Sequence, residues 1–247
     1  VNAAIYLGAK PVLVDIDKHN LCLDPKKIEK AITKKTRAIV LVYLYGHGCD
    51  VEKIKKIAKK HNIFLVEDCA EGMGTYCNNK HVGNFGDAST FSFFGNKTIT
   101  TGEGGMVCFK KRKFYEVAKK LRDHGMNLRK KYWHDYVGFN YRMTNLQAAV
   151  GLAQMERLKF FLNEKKRIAK KYRQYLNGNN KIFFSKNFKN TESSYWLYYI
   201  KLKNEISKSR DKIISLLLKN GIEARNCFYP VIKMSPYKKY HLKKNNL

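Results

Sequence analysis

The chain has 247 residues, of which 44% are hydrophobic and 13% aromatic, a composition that excludes a wholly disordered protein. It carries 49 Lys and Arg residues against 20 Asp and Glu residues, so its formal net charge is +29. A charge of this size is compatible with nucleic acid, an anionic membrane surface or a phosphorylated ligand. The lysines, however, are spread over the polar faces of predicted helices, as in segments 26–30 and 53–60, and no nucleic-acid-binding motif occurs. We therefore expect solvated helix faces and no nucleic-acid partner.

The six cysteines form no C-x-x-C pair, and no Cys/His group has zinc-finger spacing. This cysteine usage predicts a reduced, cytoplasmic protein without a metal site. The longest apolar run, residues 38–44, has the length of a strand and is far shorter than the ~20 residues that cross a bilayer. We therefore expect no membrane span.

The first half of the chain alternates predicted strands with predicted helices. Strands are expected at three short apolar runs, 11–15, 37–43 and 63–67. Asp24 followed by Pro25 is typical of a helix start, and Asp50 is expected to cap a second helix. The middle run is apolar throughout, which predicts a strand buried on both faces. Strands and helices that alternate at this spacing predict parallel βαβ units, that is, an α/β fold with a mostly parallel sheet flanked by helices.

The second half of the chain changes in character. Residues 83–109 are glycine-rich and strand-like, a helix is expected at 112–123, and Thr144 is expected to open one long helix that ends near residue 175. We then expect a strand at 195–202, a helix at 211–219 and a further strand after 221–224. This organisation predicts a large α/β domain at 1–143, a connecting helix at 144–180 and a small α+β domain at 181–247.

Two charged residues follow predicted strands, at the edge where open parallel sheets bind their ligands. Asp68 comes directly after strand 63–67, and a carboxylate there is costly unless it is paired. Lys97 lies five residues after Ser92 in a loop of glycine and hydroxyl residues, where a desolvated lysine becomes a nucleophilic amine. Each residue also has an ordinary interpretation, a helix-capping aspartate and a surface-loop lysine. Together they fit pyridoxal phosphate (PLP), which needs a lysine, a carboxylate opposite its ring nitrogen and donors for its phosphate.

Three stretches resemble the DegT/StrS family of nucleotide-sugar aminotransferases: 66–71 (VEDCAE), 83–87 (GNFGD) and 91–106 (FSFFGNKTITTGEGGM). Shorter matches extend the resemblance over nearly the whole chain, at 43–50, 132–135, 140–145 and 228–230. The resemblance implies a fold type I PLP-dependent aminotransferase with a smaller C-terminal α+β domain, and a homodimer with shared active sites. It also implies truncation at both ends, because the family has further helix–strand units before the match to Val1 and continues beyond the match to Leu247.

The resemblance assigns roles to four residues of the predicted cofactor site. Lys97 would form the Schiff base with PLP and carry the proton between cofactor and substrate. Asp68 would face the pyridinium nitrogen and keep it protonated. Ser92 would donate to the cofactor phosphate, and Glu71 would lie near the ring hydroxyl.

Four further residues keep two interpretations each. Asn140 and Arg142 would reach the cofactor phosphate of the partner subunit, or they belong to a helix-entry loop with a surface arginine. Trp133 and His134 would line the nucleotide-sugar cleft, or they are a buried aromatic with a hydrogen-bonded histidine.

The reaction implied by the resemblance is transamination, with glutamate as amino donor and a nucleotide-linked 4-keto-6-deoxy sugar as acceptor, for surface polysaccharide synthesis. The expected acceptor is GDP-4-keto-6-deoxymannose, and the alternative is dTDP-4-keto-6-deoxyglucose. A PLP-binding remnant without catalysis is a third interpretation.

Overall fold

A computed structural model describes residues 1–240 of the chain. Its helices are α1 (Asn2–Tyr6), α2 (Pro25–Ala31), α3 (Val51–Lys60), α4 (Arg112–Leu121), α5 (Asn145–Glu156), α6 (Leu158–Leu176), α7 (Asn204–Ser207) and α8 (Arg210–Lys219). Its strands are β1 (Ala38–Val42), β2 (Phe64–Asp68), β3 (Tyr76–Cys77), β4 (Lys80–His81), β5 (Ala88–Ser92), β6 (Gly105–Phe109), β7 (Ile182–Phe184), β8 (Thr191–Glu192) and β9 (Ile200–Leu202). Short 3₁₀ turns occupy Leu44–Gly46, Val231–Lys233 and Ser235–Tyr240.

The main sheet has four strands in the order β1-β2-β5-β6. Strands β1, β2 and β5 are parallel, and β6 returns antiparallel to β5. The predicted α/β fold with a mostly parallel sheet is thereby confirmed. Because parallel strands end at the same edge of a sheet, the carboxyl ends of β2 and β5 bring the residues that follow them together.

The core lies between this sheet and the helices α2 and α3. Asp50 caps α3 by accepting a hydrogen bond from the Lys53 backbone N–H at 3.2 Å, as predicted from the sequence. Apolar residues at helical spacing form the buried face of α3: Val51, Ile54, Ile57 and Ala58. They pack with the inward residues of β1 and β2, Ile39, Leu41 and Leu65. The helix and the strands therefore bury one continuous apolar face.

Strand β1 is buried on one face only, so the prediction of a strand buried on both faces is wrong for the described residues. Its burial alternates, and the outward residues Val40 and Val42 are 56% and 38% exposed. An apolar run does not distinguish these two cases, because valine is a strong strand former whether or not its outward side is covered.

Three predicted strands are absent or shorter. Residues 11–15 form no strand, because the nearest pairing is a single bridge between Ile16 and Leu23. The strand predicted at 195–202 is reduced to Ile200–Leu202, since Tyr195 adopts a left-handed backbone conformation (φ 50°) that no strand contains. Residues 221–230 likewise contain no strand.

The long helix predicted from Thr144 is divided in two. Helix α5 begins with a capping box between Thr144 and Gln147 and ends at Glu156. The next residue, Arg157, leaves helical geometry (φ −98°, ψ 3°), and α6 begins directly after it. The division of the chain into three regions remains a prediction.

A three-stranded sheet, in the order β4-β3-β8, joins the C-terminal half of the chain to the main sheet's loops. Strand β8 pairs antiparallel with β3, so the residues that follow β8 reach the carboxyl edge of the main sheet. A separate antiparallel pair, β7 and β9, lies further along the chain. Among residues 1–240, no helix is both long and apolar enough to cross a membrane.

Candidate active site

The carboxyl edge of the main sheet brings together two of the predicted site residues. Asp68 is the last residue of β2 and pairs in register with Val42 of β1 and Thr90 of β5. Ser92 is the last residue of β5. Both side chains are half-buried at the edge where a ligand of an open parallel sheet binds.

Lys97 lies in a tight turn that follows β5. Its backbone N–H donates to the Phe94 carbonyl at 3.0 Å, which closes the turn. Its side chain is only 14% exposed, so it is not an ordinary surface lysine. The Nζ atom lies 4.0 Å from the ring centroid of Trp196, whose indole N–H donates to the Asn96 carbonyl at 2.8 Å. The indole therefore covers the amine and is itself fixed to the turn that carries it.

Glu71 is the closest carboxylate to this amine. Its Oε1 lies 3.8 Å from Lys97 Nζ, and its side chain is 10% exposed. The other oxygen, Oε2, accepts a hydrogen bond from the Tyr45 backbone N–H at 2.7 Å. Burial raises the pKa of Glu71, the Tyr45 N–H and Lys97 lower it, and the Asp68 carboxylate raises it further. Lysine, glutamate and aspartate thus form one electrostatically linked group.

The turn that holds Glu71 has an unusual backbone. Tyr45 and Gly46 both have positive φ angles, 55° and 80°. The hydroxyls of Thr75 and Ser193 donate to the Gly46 carbonyl at 2.8 and 2.7 Å. Because a left-handed tyrosine is unfavourable by itself, these hydrogen bonds stabilise the conformation that aims the Tyr45 N–H at Glu71.

A fully buried carboxylate, Glu67, supports this edge from inside. Its Oε1 accepts from the backbone N–H groups of Phe85 (2.7 Å) and Gly86 (2.5 Å), and its Oε2 accepts from Gly83 N–H (2.7 Å) and the Tyr43 hydroxyl (2.6 Å). Burial, together with this carboxylate, raises the pKa of Tyr43. Sequence reasoning passed over Glu67, although strand alternation places it on the same inward face as Leu65.

The predicted partners of the cofactor have simple local contacts. Asp68 Oδ1 accepts a hydrogen bond from the Ala70 N–H at 3.0 Å, and within residues 1–240 no hydrogen bond reaches its Oδ2. Ser92 Oγ accepts one from the Phe94 N–H at 3.3 Å, which leaves its proton free to be donated. A shielded amine, an acceptor on a carboxylate and a hydroxyl donor at one sheet edge are the groups that PLP requires, so the residues present fit this cofactor.

Four other predicted site residues make contacts away from Lys97. The backbone of Asn140 forms an isolated β-bridge with that of Asp123. The side chain of Arg142 is 64% exposed, and its Nη1 lies 3.4 Å from the Asp123 carboxylate. Trp133 is 55% exposed beneath the amine of Lys130, at 3.9 Å. In the described part of the chain, none of the four contacts Lys97 or Glu71.

His134 is hydrogen-bonded to the backbone, since its Nδ1 lies 2.9 Å from the His124 carbonyl. Trp133 is exposed, so the alternative of a buried aromatic beside a hydrogen-bonded histidine is only half right. Residues 1–240 contain no group of three or more His, Cys, Asp or Glu residues arranged to hold a metal ion.

The sheet and its lysine site define a fold type I α/β protein, and two solved structures agree. Helicobacter pylori PseC, an aminotransferase involved in the biosynthesis of pseudoaminic acid, superposes with a TM-score of 0.92 at 30% identity, over 97% of this chain and 65% of that chain. Spr1654 from Streptococcus pneumoniae, solved in a PLP form and a PMP form, superposes with a TM-score of 0.91 at 27% identity. The match covers 99% of this chain and 68% of the Spr1654 chain in its PLP form.

The model of the DegT/DnrJ/EryC1/StrS aminotransferase family matches residues 1–247, and the chain belongs to this family. The resemblance inferred from the sequence is thereby confirmed. Among curated proteins, GDP-perosamine synthase of Escherichia coli O157:H7 is 43% identical over 98% of this chain and 66% of its own length. The chain therefore spans just under two thirds of the length of this relative.

Proposed function

We propose that the full-length protein transfers an amino group from glutamate to the C-4 ketone of GDP-4-keto-6-deoxymannose, which yields GDP-perosamine. The observation that carries this proposal is the shielded Lys97 amine, 3.8 Å from the Glu71 carboxylate at the carboxyl edge of the sheet. The 43% identity to a GDP-perosamine synthase supports the choice of sugar and nucleotide. A cytoplasmic location and a role in surface polysaccharide synthesis belong to the same proposal.

The cofactor of this reaction would be PLP. When bound, PLP supplies an aldehyde that takes up the amino group and a ring that accepts an electron pair. Lys97 would bind the cofactor covalently through Nζ and would hold or release a proton at that atom. Asp68 would bind the protonated ring nitrogen through its carboxylate, and Ser92 would donate its hydroxyl proton to the phosphate.

The remaining chain would exclude water and shape the substrate cleft. Trp196 covers the amine, and its exposed fraction of 5% keeps water away from one side of it. Trp133 and His134 stay proposed substrate contacts, because a basic and aromatic surface, with Lys130 over the indole, suits a nucleoside diphosphate. Glutamate would be the amino donor.

A homodimer is part of the proposal. Helix α5 has no buried residue, and its side chains Leu146, Val150 and Leu152 are 81%, 50% and 65% exposed. Exposed apolar side chains on one helix are typical of a surface that another chain covers. Asn140 and Arg142 precede this helix. A second copy of the chain that packed against α5 would therefore bring its own active site towards these two residues.

The test is Lys97→Ala in the full-length protein, compared with Lys60→Ala, whose lysine is a surface residue of α3. We expect Lys97→Ala to lose both the absorbance of lysine-bound PLP and all turnover, while Lys60→Ala keeps both. Turnover by Lys97→Ala would contradict the assignment. Faster turnover of dTDP-4-keto-6-deoxyglucose than of the GDP sugar would favour the alternative acceptor, and PLP binding without turnover of either would indicate a remnant.

A further inference from the structure

Lys97 and Glu71 form an ion pair that is almost closed to solvent. Their side chains are 14% and 10% exposed, and Nζ lies 3.8 Å from Oε1. An ammonium group has no lone pair and cannot attack a carbonyl carbon, so the amine must first lose a proton. In a site that excludes water, the nearest acceptor for that proton is the Glu71 carboxylate.

We infer that Glu71 is the proton acceptor for Lys97, which makes the amine nucleophilic without exchange with bulk water. This inference rests on the proposed function. In the step, one N–H bond of the ammonium breaks and one O–H bond forms at Glu71 Oε1. The positive and negative charges cancel, the nitrogen keeps the electron pair of the broken bond, and no other reactant is required.

The geometry directs one specific oxygen towards the amine. Oε2 of Glu71 is occupied by the Tyr45 N–H at 2.7 Å, so Oε1 is the oxygen that faces Nζ. The 3.8 Å separation shortens to a hydrogen bond when the two side chains approach by about 1 Å, a change that catalytic groups make on ligand binding. The left-handed turn at Tyr45 and Gly46 keeps the carboxylate from rotating away.

The surroundings of the pair act on the shared proton in opposite directions. Burial disfavours the charged form of Glu71 and raises its pKa. The Asp68 carboxylate acts in the same direction, because a second negative charge nearby makes a proton on Glu71 more favourable. The indole of Trp196 acts the other way, since its ring face favours the ammonium form of Lys97. The chain therefore balances the two proton positions and does not fix either one.

Few other titratable groups face this pair. Glu71 is faced by Lys97, Asp68 and the Tyr45 phenol, and Lys97 is faced by Glu71 and the Trp196 ring. Burial raises the pKa of Tyr45 to about 12, so the phenol stays neutral in the experiment described next. Because Glu71 takes up the proton that Lys97 gives up, freeing the amine in the parent needs no exchange with solvent.

The test measures reactivity of Lys97 itself, apart from turnover. The full-length protein is mixed with PLP and borohydride at several pH values from about 7 to 9, and mass spectrometry gives the initial rate of trapping on the Lys97 peptide. Each rate is compared with that of Glu71→Gln, since the titration of PLP is common to both proteins. We expect the ratio of the Glu71→Gln rate to the parent rate to rise about tenfold per pH unit, because an isolated amine exchanges its proton with solvent.

Two controls accompany this comparison. Glu29→Gln removes an exposed carboxylate that is paired with Lys60, and we expect it to behave as the parent does. Glu71→Asp keeps a carboxylate, and we expect a lower rate with the same pH profile as the parent. Near-ultraviolet circular dichroism of each variant must match that of the parent before the rates are compared.

The outcomes are distinct. A constant ratio of Glu71→Gln to parent across this pH range would overturn the role of Glu71, as would a Glu71→Asp profile as steep as that of Glu71→Gln. Absence of trapping on Lys97 in the parent would overturn the proposed function itself. Trapping in the parent together with a constant ratio would leave the proposed function standing and remove only this inference.

Discussion

Glu67 offers the sharpest test of how the active-site edge is held together. Replacement of Glu67 by glutamine keeps the shape of the side chain but exchanges one carboxylate oxygen for an NH₂ group. Each oxygen of Glu67 accepts two hydrogen bonds, so the new NH₂ group faces the Phe85 and Gly86 N–H groups in one orientation, and the Gly83 N–H and the Tyr43 hydroxyl in the other. The hydroxyl can turn to accept a hydrogen bond from the NH₂ group, but a backbone N–H cannot. In either orientation at least one hydrogen bond is lost, and its buried backbone donor is left without a partner.

The expected loss of stability is large for a change of one atom. A hydrogen bond to a charged group contributes ~1.5–3 kcal/mol, so the loss of one lowers the free energy of unfolding by about 1.5–3 kcal/mol, and the loss of two lowers it by twice as much. The site of Glu67 is completely buried, so water cannot replace the lost partners. The loop at 83–86 would separate from β2, and Asp68 is the next residue of that strand.

The assay is urea unfolding followed by circular dichroism, with Glu29→Gln as the matched control, because Glu29 pairs with Lys60 at the surface. We expect Glu67→Gln to unfold at a much lower urea concentration and Glu29→Gln to unfold with the parent. A Glu67→Gln variant within about 1 kcal/mol of the parent would refute the argument, because it would mean that the four hydrogen bonds contribute little net stability.

Two further predictions concern the loop that follows β1. Gly46→Ala would destabilise the protein by ~2 kcal/mol or more, since the new Cβ would collide with Ser194 Oγ at a φ of 80°; Gly178→Ala, at the same φ in open space, should lower the melting temperature less. Burial lowers the pKa of His47 to about 4 from an ordinary 6.5, with Arg173 acting in the same direction. Between these values the unfolded chain binds a proton that the folded chain does not, so stability falls by up to ~3 kcal/mol as the pH drops from 6.5 to 4. His47→Phe should reduce this acid loss in urea midpoints measured at pH 7 and pH 4.5, and an unchanged loss would contradict the assignment.

The parts of the fold that the sequence predicted correctly depend on local signals. Helix α3 was predicted because Asp50 is a capping residue and the apolar residues of the helix recur at its own period. A strand, in contrast, needs a neighbouring strand to pair with. The sequence of residues 11–15 does not show whether such a neighbour exists. The left-handed Tyr45 and Tyr195 are likewise invisible in the sequence, because glycine is the residue that normally indicates such a conformation.

The same difference between local signals and long-range contacts applies to the residues of the candidate site. Asp68 and Ser92 were placed at the carboxyl edge of the sheet because strand ends can be recognised from the apolar run that precedes them, and their role in a cofactor site, like that of Lys97, stays a prediction. Trp196 was missed because its contact joins residues 100 positions apart, and β8 has only two residues with which to indicate it. Glu67 was missed because the apolar residues around it make the segment resemble an ordinary buried strand.

The indole above Lys97 has a practical consequence. The chain has two tryptophans, and the other, Trp133, is 55% exposed. With Trp133 changed to phenylalanine, all indole fluorescence from residues 1–247 would originate at Trp196, whose ring centroid lies 4.0 Å from the Lys97 amine. Changes at that nitrogen could then be followed by intrinsic tryptophan fluorescence, with no dye attached.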